Sequence, residues 1–344
     1  MAASAPRTTR TPTGPWGFLE QLALSAAPLA LPAVAPVETV SAARLAKDPL
    51  LRRSVFSLLS DDRVGAMLKR SAEIQLLRLS GVARTPIVLS RVLTASGAAH
   101  LVILAEPGAE ATIIERFDGA SQQALHGVEL FLGADAHISY ASAATFSGDY
   151  LSEKRAILSR DASLLLFELI ANTGKARSRA GAFLDGEGAA ASCQSIFLAP
   201  QHSSFDLGAD ALHIGHATSS RLLSRGMLVH AKGIYEGVLR IGSDAQKSDA
   251  FQAAHTLLID GAEMKASPRL FIDNNDVTCS HAATTSNPDV QKLYYLMSRG
   301  LVREDALELV ARAFVWPAIE GTAFERPLGR DVEAGVRRAL EVRL

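Results

Sequence analysis

The hydrophobic positions divide the chain into three regions with different periodicities. Residues 15–80 and 284–344 place leucine and alanine at three- and four-residue intervals, which is typical of amphipathic helices. Residues 85–278 instead alternate short runs of Val, Ile, Leu and Phe with small polar turns. We therefore predict an N-terminal helical region at 1–84 with a flexible start of ~15 residues, a β-rich core at 85–278 and a C-terminal helical domain at 279–344.

The turns of the central region resemble one another. Segments such as EPGAEATI, LGADAHIS, SRDASLLL and DGEGAAAS recur along the chain. The acidic residues Glu110, Asp135 and Asp161 lie 25 and 26 residues apart, and later spacings are looser. A strand–turn unit that recurs every ~20–30 residues indicates a solenoid, in which each coil buries its apolar face against the next.

The composition of the strands favours a parallel β-helix. Segments such as SLLLFELI are apolar almost throughout, as expected for parallel strands that are covered on both faces. A β-sandwich would show turn signals every ~8–12 residues, and the hairpin dipeptide Asn-Gly is absent from the sequence. The pattern alone leaves the sandwich and a doubly wound fold open.

Two helices are predicted in the C-terminal region. The segment 287–289, Asn-Pro-Asp, is a start signal: a cap residue, a proline at the first helical position and an acid in the first turn. Gly300 then ends this helix as a C-terminal cap. A second helix begins near residues 304–305 and directs four side chains inward, namely Ala306, Val310, Ala313 and Phe314.

Composition and charge exclude several classes of function. The chain has 344 residues, with 35 basic and 36 acidic side chains and a net charge of −1, so it lacks the electrostatic footprint of a nucleic-acid-binding protein. Two cysteines cannot form a disulfide framework, which indicates a reducing compartment. The first 40 residues resemble a secretory signal only loosely, because Glu20, Gln21 and three prolines interrupt the apolar stretch. No segment reaches the ~20 apolar residues of a membrane span, so we expect a soluble cytoplasmic protein.

The sequence lacks a working nucleotide loop. The segment LIANTGKAR contains a Gly-Lys pair, but Leu169 stands where a phosphate loop needs glycine and Ala176 where it needs Ser or Thr. We therefore expect that this chain binds no nucleotide. A Rossmann glycine fingerprint and a serine nucleophile elbow are also absent.

Cys279 and His281 form the best candidate for chemistry. At positions i and i+2 of a strand their side chains point to the same face, so one soft and one borderline ligand can approach a single ion. Two ligands cannot complete a zinc or iron–sulfur site, which takes four. The pair is therefore part of a site that another chain completes, or it is a structural strand end. A Cys279 nucleophile with His281 as base has no evident group to orient the imidazole.

Another histidine pair is interpreted as structural. His213 and His216 are three residues apart, so on a strand they face opposite sides. We expect two separately hydrogen-bonded side chains in the wall of the fold.

The segment DVTCSHAATTSNPDVQKLYYLMSRGLVREDALELVARAF resembles the C-terminal signature of the SufB/SufD family of iron–sulfur cluster assembly proteins. That signature runs Asp-Asp-Val-x-Cys-Ser-His-Gly-Ala-Thr, then Leu-Phe-Tyr-Leu-x-Ser-Arg-Gly. The matching residues are Asp276, Val277, Cys279, Ser280, His281, Ala283, Thr284, Leu293, Tyr295, Leu296, Ser298, Arg299 and Gly300. The likeness covers roughly residues 200–320, and the N-terminal region hardly takes part.

Within the family the sequence is more similar to the SufD type than to the SufB type. Ala254 stands where SufB-type members carry a cysteine, and Ala282 where they carry a glutamate. The Cys-Ser-His of the SufD type is kept, although the following segment 284–286, Thr-Thr-Ser, looks more SufB-like. Ala282 also replaces the SufD glycine, and a Gly-to-Ala change makes positive φ costly there.

The resemblance implies a fold, partners and a role. The fold is a right-handed parallel β-helix flanked by helical regions. The partners are a SufB-like homologue, which pairs through the β-helix, and a SufC-like ATPase, which docks on the C-terminal helices and hydrolyses ATP in trans. The chain would be a non-catalytic scaffold, and it could form a homodimer when it is alone. His281, and secondly Cys279, would supply ligands to a transient Fe–S cluster or iron shared with SufB. The expected SufC contacts are Arg299, Gly300, Glu304, Asp305 and Phe314.

Two other functions stay open from the sequence. A β-helix enzyme that acts on carbohydrate would need carboxylates clustered on one face of the solenoid, whereas the acidic residues here fall mainly in turns. A homodimeric structural protein without metal is the second alternative.

Overall fold

The structure, a computed structural model, describes residues 25–26, 37–40, 57–59, 62–71, 73–93 and 95–341. Much of the predicted N-terminal helical region, including its expected flexible start, lies outside these residues.

The described residues form sixteen β-strands and four α-helices. The strands are β1 (Ser25–Ala26), β2 (Val37–Val40), β3 (Glu73–Leu79), β4 (Ile87–Leu93), β5 (Gly97–Ala105), β6 (Glu110–Leu132), β7 (His137–Leu158), β8 (Ser163–Asn172), β9 (Lys175–Leu184), β10 (Ala190–Ala199), β11 (Ser204–His213), β12 (Ser219–Val229), β13 (Lys232–Ile241), β14 (Ser248–Ile259), β15 (Glu263–Ile272) and β16 (Val277–Ser286). The helices are α1 (Asp62–Ser71), α2 (Val290–Ser298), α3 (Arg303–Val315) and α4 (Glu325–Glu341), with a 3₁₀ turn at Trp316–Ala318.

Two stacks of parallel strands face each other across the core. The front stack contains β4, the first halves of β6 and β7, and then β8, β10, β12, β14 and β16. The back stack contains β3, β5, the second halves of β6 and β7, and then β9, β11, β13 and β15. Strand β7 bends between them, since His137–Phe146 pairs with β8 and Tyr150–Leu158 pairs with β9. The result is a parallel β-solenoid of about eight turns, which confirms the predicted β-helix over the sandwich and the doubly wound fold.

The turns between the stacks explain the sequence repeat. Asp135 and Asp161 adopt positive φ angles of 58° and 54° at the same point of successive coils. Each donates its backbone N–H to a carbonyl of the next coil, at 2.9 and 2.8 Å. The position before them is filled by Gly108 (φ 72°), whereas Glu110 is the first residue of β6 and pairs with His137. The spacing of the acidic residues therefore predicts the coil length correctly. Glu110, however, lies two residues after the turn position that Asp135 and Asp161 occupy in later coils.

Helices cover the outer faces of both stacks. Helix α1 packs Val64, Met67 and Leu68 against apolar side chains of the back stack. Helices α3 and α4 cover the front stack, where Phe324 stacks on Phe167 with ring centroids 5.8 Å apart. This burial of apolar surface from both partners fixes the C-terminal helices on the solenoid. The last solenoid strand runs on to Ser286, past the predicted domain boundary at 278/279.

Candidate functional site

The solenoid is open at its C-terminal end. Strands β15 and β16 are the last strands of the back and front stacks, and within the described part of the chain each pairs with a strand on one side only. No side chain of either strand is fully buried, whereas the strands before them are largely enclosed. A free strand edge exposes backbone N–H and C=O groups, which are a template for pairing with another chain.

Cys279 and His281 lie on this last coil. Strand β16 pairs in register with β14, so that Cys279 lies beside Ala250 and His281 beside Gln252. Ala250 and Gln252 are buried and face the interior, so Cys279 and His281 continue the inward-facing row at its open end. Cys279 is half-buried and packs against the interior core, while His281 is exposed. The structure therefore brings the two candidate ligands to one face of one strand.

The thiol of Cys279 is not activated. Burial and, secondly, the negative charge of Asp249 raise the pKa of Cys279 above its ordinary value. A cysteine in such surroundings is protonated at neutral pH, and the thiolate is the form that attacks or binds metal. Metal binding there must therefore displace a proton.

The last coil supplies only part of a metal site. Within the part of the chain that the structure describes, no group of three or more His, Cys, Asp and Glu side chains is placed to hold a metal ion. Cys279 and His281 together offer one sulfur and one imidazole nitrogen. Further ligands would have to come from outside these residues, because iron and zinc sites take four.

One residue next to Cys279 and His281 was not predicted from the sequence as part of the site. Gln252 is fully buried, and neither atom of its carboxamide has a hydrogen-bond partner among the described residues. Its position directly beside His281 is visible only from the strand register.

A network of buried polar groups occupies the solenoid interior. Arg91 donates to Glu115 at 2.8 Å, and Tyr140 donates to the same carboxylate at 2.6 Å. Burial raises the pKa of Glu115, but its contacts with His126, Arg91 and Tyr140 outweigh burial and hold this pKa well below its ordinary value. The carboxylate is therefore ionised and satisfied inside the fold, away from any exposed face.

The remaining cysteine and the other predicted histidines are structural. Burial raises the pKa of Cys193 to about 12. His213 is buried between the hydroxyls of Thr218 and Ser220, each 2.8 Å from one ring nitrogen. His216 instead lies at the surface, 3.6 Å from Glu187. The two histidines thus have separate surroundings, as their spacing predicts.

Helix α2 presents apolar side chains to solvent. None of its residues is buried, and Tyr294 and Tyr295 are 68% and 59% exposed. The helix is held by its ends: the Asp289 side chain accepts from the amides of residues 291 and 292, and Gly300 follows with φ 96°. The first capping residue is therefore Asp289, not Asn287 as the start signal predicts. A helix that exposes aromatic side chains in this way is typical of a docking surface.

The residues predicted to contact the ATPase occupy two kinds of environment. Arg299, Gly300, Glu304 and Asp305 are exposed around the α2–α3 junction, with the Arg299 guanidinium 5.3 Å from the ring centre of Tyr295. Phe314 is half-buried against the front stack. The guanidinium of Arg225 lies 5.7 Å from its ring centre and donates to its backbone carbonyl at 3.0 Å.

Comparison with known proteins identifies the family. Residues 90–314 match the family model described as SUF system FeS cluster assembly, SufBD core domain. The chain belongs to this family. The match confirms the resemblance inferred from the segment around Cys279 and His281. None of the described helices has the length and apolar character needed to cross a membrane.

The SufBD relatives are similar over two thirds of the chain. The chain is 27% identical to the iron–sulfur cluster assembly protein SufD of Bacillus subtilis over 235 residues, which is 66% of this chain and 54% of the relative. It is 27% identical over 224 residues to SufBD family proteins of Staphylococcus epidermidis and Staphylococcus aureus, covering 63% of this chain and 48% of each relative. The chain thus spans about half the length of the curated relatives it matches.

Proposed function

We propose that this chain is a non-catalytic scaffold subunit of an iron–sulfur cluster assembly complex, of the SufD type. Its open solenoid end pairs with a SufB-like homologue, and its C-terminal helices dock a SufC-like ATPase. The observation that carries the proposal is the position of Cys279 and His281 on one face of the last coil, whose outer edge has no partner strand among the described residues.

The strand edges support pairing at this end. Strand β16 offers free backbone groups along small Thr, Ser and Ala side chains, and a partner strand can add to them by β-augmentation. Strand β15 is a poorer template, because Pro268 has no N–H and Lys265 and Arg269 bring charge to the edge. A SufB-like partner would therefore add first to β16, next to the candidate ligands.

The ligand role is supported by the incomplete ligand set that the described residues of this chain offer. His281 supplies an imidazole nitrogen and Cys279, after losing its proton, a thiolate. The cargo is a nascent cluster or iron, and the remaining ligands belong to the SufB-like subunit. A site at a seam between two chains can form and release its cargo as the chains move.

The exposed face of α2 supports ATPase docking. Tyr294 and Tyr295 give aromatic anchors, while Arg299, Glu304 and Asp305 surround them with charge. Buried aromatic anchors inside a polar rim are the usual anatomy of a specific protein interface. Phe314, which packs on the solenoid, would hold α3 in place beneath this surface.

The test of the ligand role uses the complex. Co-expressed with a SufB-like and a SufC-like protein, His281→Ala should co-purify normally and form far less cluster under iron and sulfide supply. His216→Ala, which removes a partly exposed histidine two coils before the last coil, is the matched control. Normal cluster formation by the His281→Ala complex would remove its ligand role.

The test of docking uses the same partners. Tyr294→Asp together with Tyr295→Asp should release the ATPase while leaving the SufB-like subunit bound. Gln291→Asp, on the same exposed helix, is the control for the added charge. If the chain alone forms a homodimer that neither partner dissociates, the structural-protein alternative is favoured instead. Carbohydrate cleavage by the purified chain would favour the enzyme.

A further inference from the structure

We propose that Gln252 is a positioning residue for His281, whose carboxamide oxygen accepts the N–H of one ring nitrogen and leaves the other nitrogen free to bind metal. This inference rests on the proposed ligand role of His281. It assigns to Gln252 a role in aiming the imidazole out of the solenoid end.

The strand register brings the two side chains together. Gln252 on β14 and His281 on β16 are direct partners in the parallel ladder. Neighbouring strands are about 4.8 Å apart, and in-register residues of a parallel pair project in the same direction. The two side chains therefore project the same way from neighbouring strands at the mouth of the solenoid.

Both side chains lack a hydrogen-bond partner in the described protein. The Nε2 and Oε1 atoms of Gln252 are enclosed and unpaired. The ring of His281 likewise has no protein partner within the described residues. An enclosed polar group without a partner destabilises the fold, so each such group in a native structure needs an explanation. The adjacent imidazole provides one, because rotation of the exposed His281 side chain can bring a ring N–H to the carboxamide oxygen.

The fold makes room for this carboxamide. Gly237 on β13 faces Gln252 across the interior, and a Cβ at Gly237 would lie 2.1 Å from the Gln252 Nε2 atom and 2.8 Å from Oε1. The absence of a side chain at Gly237 thus lets the amide reach the centre of the solenoid. Gly237 is itself paired with Pro268 of the last coil, so the amide lies just beneath the open end.

His213 has a hydrogen-bonding arrangement that differs from the one proposed for His281. His213 has both ring nitrogens engaged by hydroxyl groups, which leaves neither free as a ligand. A single hydrogen bond to His281 would instead fix one tautomer and present the second nitrogen. Metal-binding histidines commonly donate their other N–H to an oxygen in this way, and loss of that partner typically costs 10–100-fold in metal affinity.

The first measurement uses the chain alone with ¹⁵N-labelled histidine. Long-range ¹H–¹⁵N correlation spectra report the tautomer of each ring, and the His281→Asn variant assigns the signals. We expect one dominant His281 tautomer in the wild-type chain, a mixture in Gln252→Leu, and restoration in Gln252→Glu, whose carboxylate keeps the acceptor. Thr256→Val, at another buried polar position of β14, is the control and should leave His281 unchanged. The same tautomer mixture in the wild-type chain and in Gln252→Leu would overturn the proposal.

The second measurement separates this inference from the proposed function. In the complex with a SufB-like subunit, Co²⁺ is titrated as a spectroscopic substitute for Fe²⁺. We expect Gln252→Leu to weaken binding about 10–100-fold and Gln252→Glu to restore it. If His281→Ala weakens Co²⁺ binding and Gln252→Leu does not, the positioning role is wrong and the ligand role stands. If Gln252 sets the tautomer but His281→Ala leaves Co²⁺ binding unchanged, the contact stands and the ligand role fails.

Discussion

The ammonium group of Lys154 lies 2.7 Å from the carboxylate of Glu168 inside the solenoid, where both side chains are enclosed. Burial lowers the pKa of Lys154, but Glu168 together with Tyr150 and Glu115 outweighs burial and holds this pKa above its ordinary value. Ser178 donates to the same carboxylate at 2.8 Å, so the ion pair is also supported by a hydrogen bond.

Removal of one partner of this ion pair should be costly. Lys154→Met leaves the Glu168 carboxylate buried without its counter-ion, and we expect a loss of about 3–5 kcal/mol in the free energy of unfolding. Urea unfolding followed by circular dichroism measures this loss. The double variant Lys154→Met/Glu168→Leu removes both charges and should recover at least half of it. A double variant that is less stable than Lys154→Met would contradict this account.

His213 should make stability depend on pH. Burial lowers its pKa to about 4, against an ordinary value of about 6.5 in the unfolded chain. The unfolded state therefore binds the additional proton between these values, so stability is complete above pH 6.5 and falls as the pH drops toward 4. The contribution lost over this window is about 3 kcal/mol.

The measurement for His213 compares unfolding free energies across that window. His213→Gln keeps a hydrogen-bonding side chain beside Thr218 and Ser220 but has no titrating group. We expect the variant to lose less stability than the wild-type chain between pH 6.5 and 4. Identical pH profiles of the two proteins would show that His213 does not titrate as proposed.

Gly181 should not tolerate a side chain. A Cβ there would lie 2.3 Å from a guanidinium nitrogen of Arg155 and 2.7 Å from the backbone oxygen of Asp210. Arg155 is buried and paired with both Glu153 and Asp210, so it has little freedom to move. We expect Gly181→Ala to destabilise the chain by about 1–3 kcal/mol in urea unfolding.

A second glycine provides the control for Gly181. Gly65 lies inside helix α1, and a Cβ there would meet no atom of the described residues within 4 Å. Gly65→Ala should therefore be neutral or stabilise by up to about 1 kcal/mol, because alanine favours the helix. Equal destabilisation by both substitutions would contradict the steric explanation.

The cap of helix α2 should control the proposed docking surface. Asp289→Ala removes the oxygen that accepts from two helix amides, which typically costs about 1 kcal/mol. Because α2 buries none of its residues, this loss should appear as faster hydrogen exchange at residues 290–298 and as weaker binding of the SufC-like ATPase. Asp289→Asn retains a capping oxygen and should behave like the wild-type chain. Unchanged exchange in Asp289→Ala would mean that the cap does not hold the helix.

The sequence predicts the solenoid because its physical signal is local. Apolar strands and turns such as those at Asp135 and Asp161 recur at the coil length, and positive φ at these turns explains why short polar residues repeat there. Later coils carry Gly188, Ala217 and Lys247 at the same positive-φ point. Since these residue types differ, the later spacing is not visible as a motif.

The inward face of helix α3 was predicted only in part. Ala306 is buried as expected, but Val310 and Ala313 are not, and the buried residues are completed by Leu307, Ala311 and Val315. The predicted apolar stripe was rotated around the helix relative to the buried face. An alanine-rich sequence gives little contrast in hydrophobicity between the faces of a helix. Contacts with the outer side chains of the front stack decide which face of α3 is buried. No local pattern in the α3 sequence specifies those contacts.

The sequence alone could predict only those residues of the candidate site that lie on strand β16. The i, i+2 rule places Cys279 and His281 on one face from the sequence alone. Gln252, 29 residues earlier in the chain, becomes their neighbour only through the register between β14 and β16. The interior ion pairs were missed for the same reason, because Glu115 and Glu168 interrupt apolar strands and their partners lie in other strands.

The unequal edges of the last coil carry a consequence for the isolated chain. The edge of strand β15 is a poor partner for another strand because of Pro268 and the charged residues that flank it. The edge of strand β16 can pair along its length. Without a strand paired to it, the β16 edge exposes backbone N–H and C=O groups that can pair with any other free strand. At high concentration the isolated chain is therefore expected to self-associate or aggregate through this edge before it does so through β15.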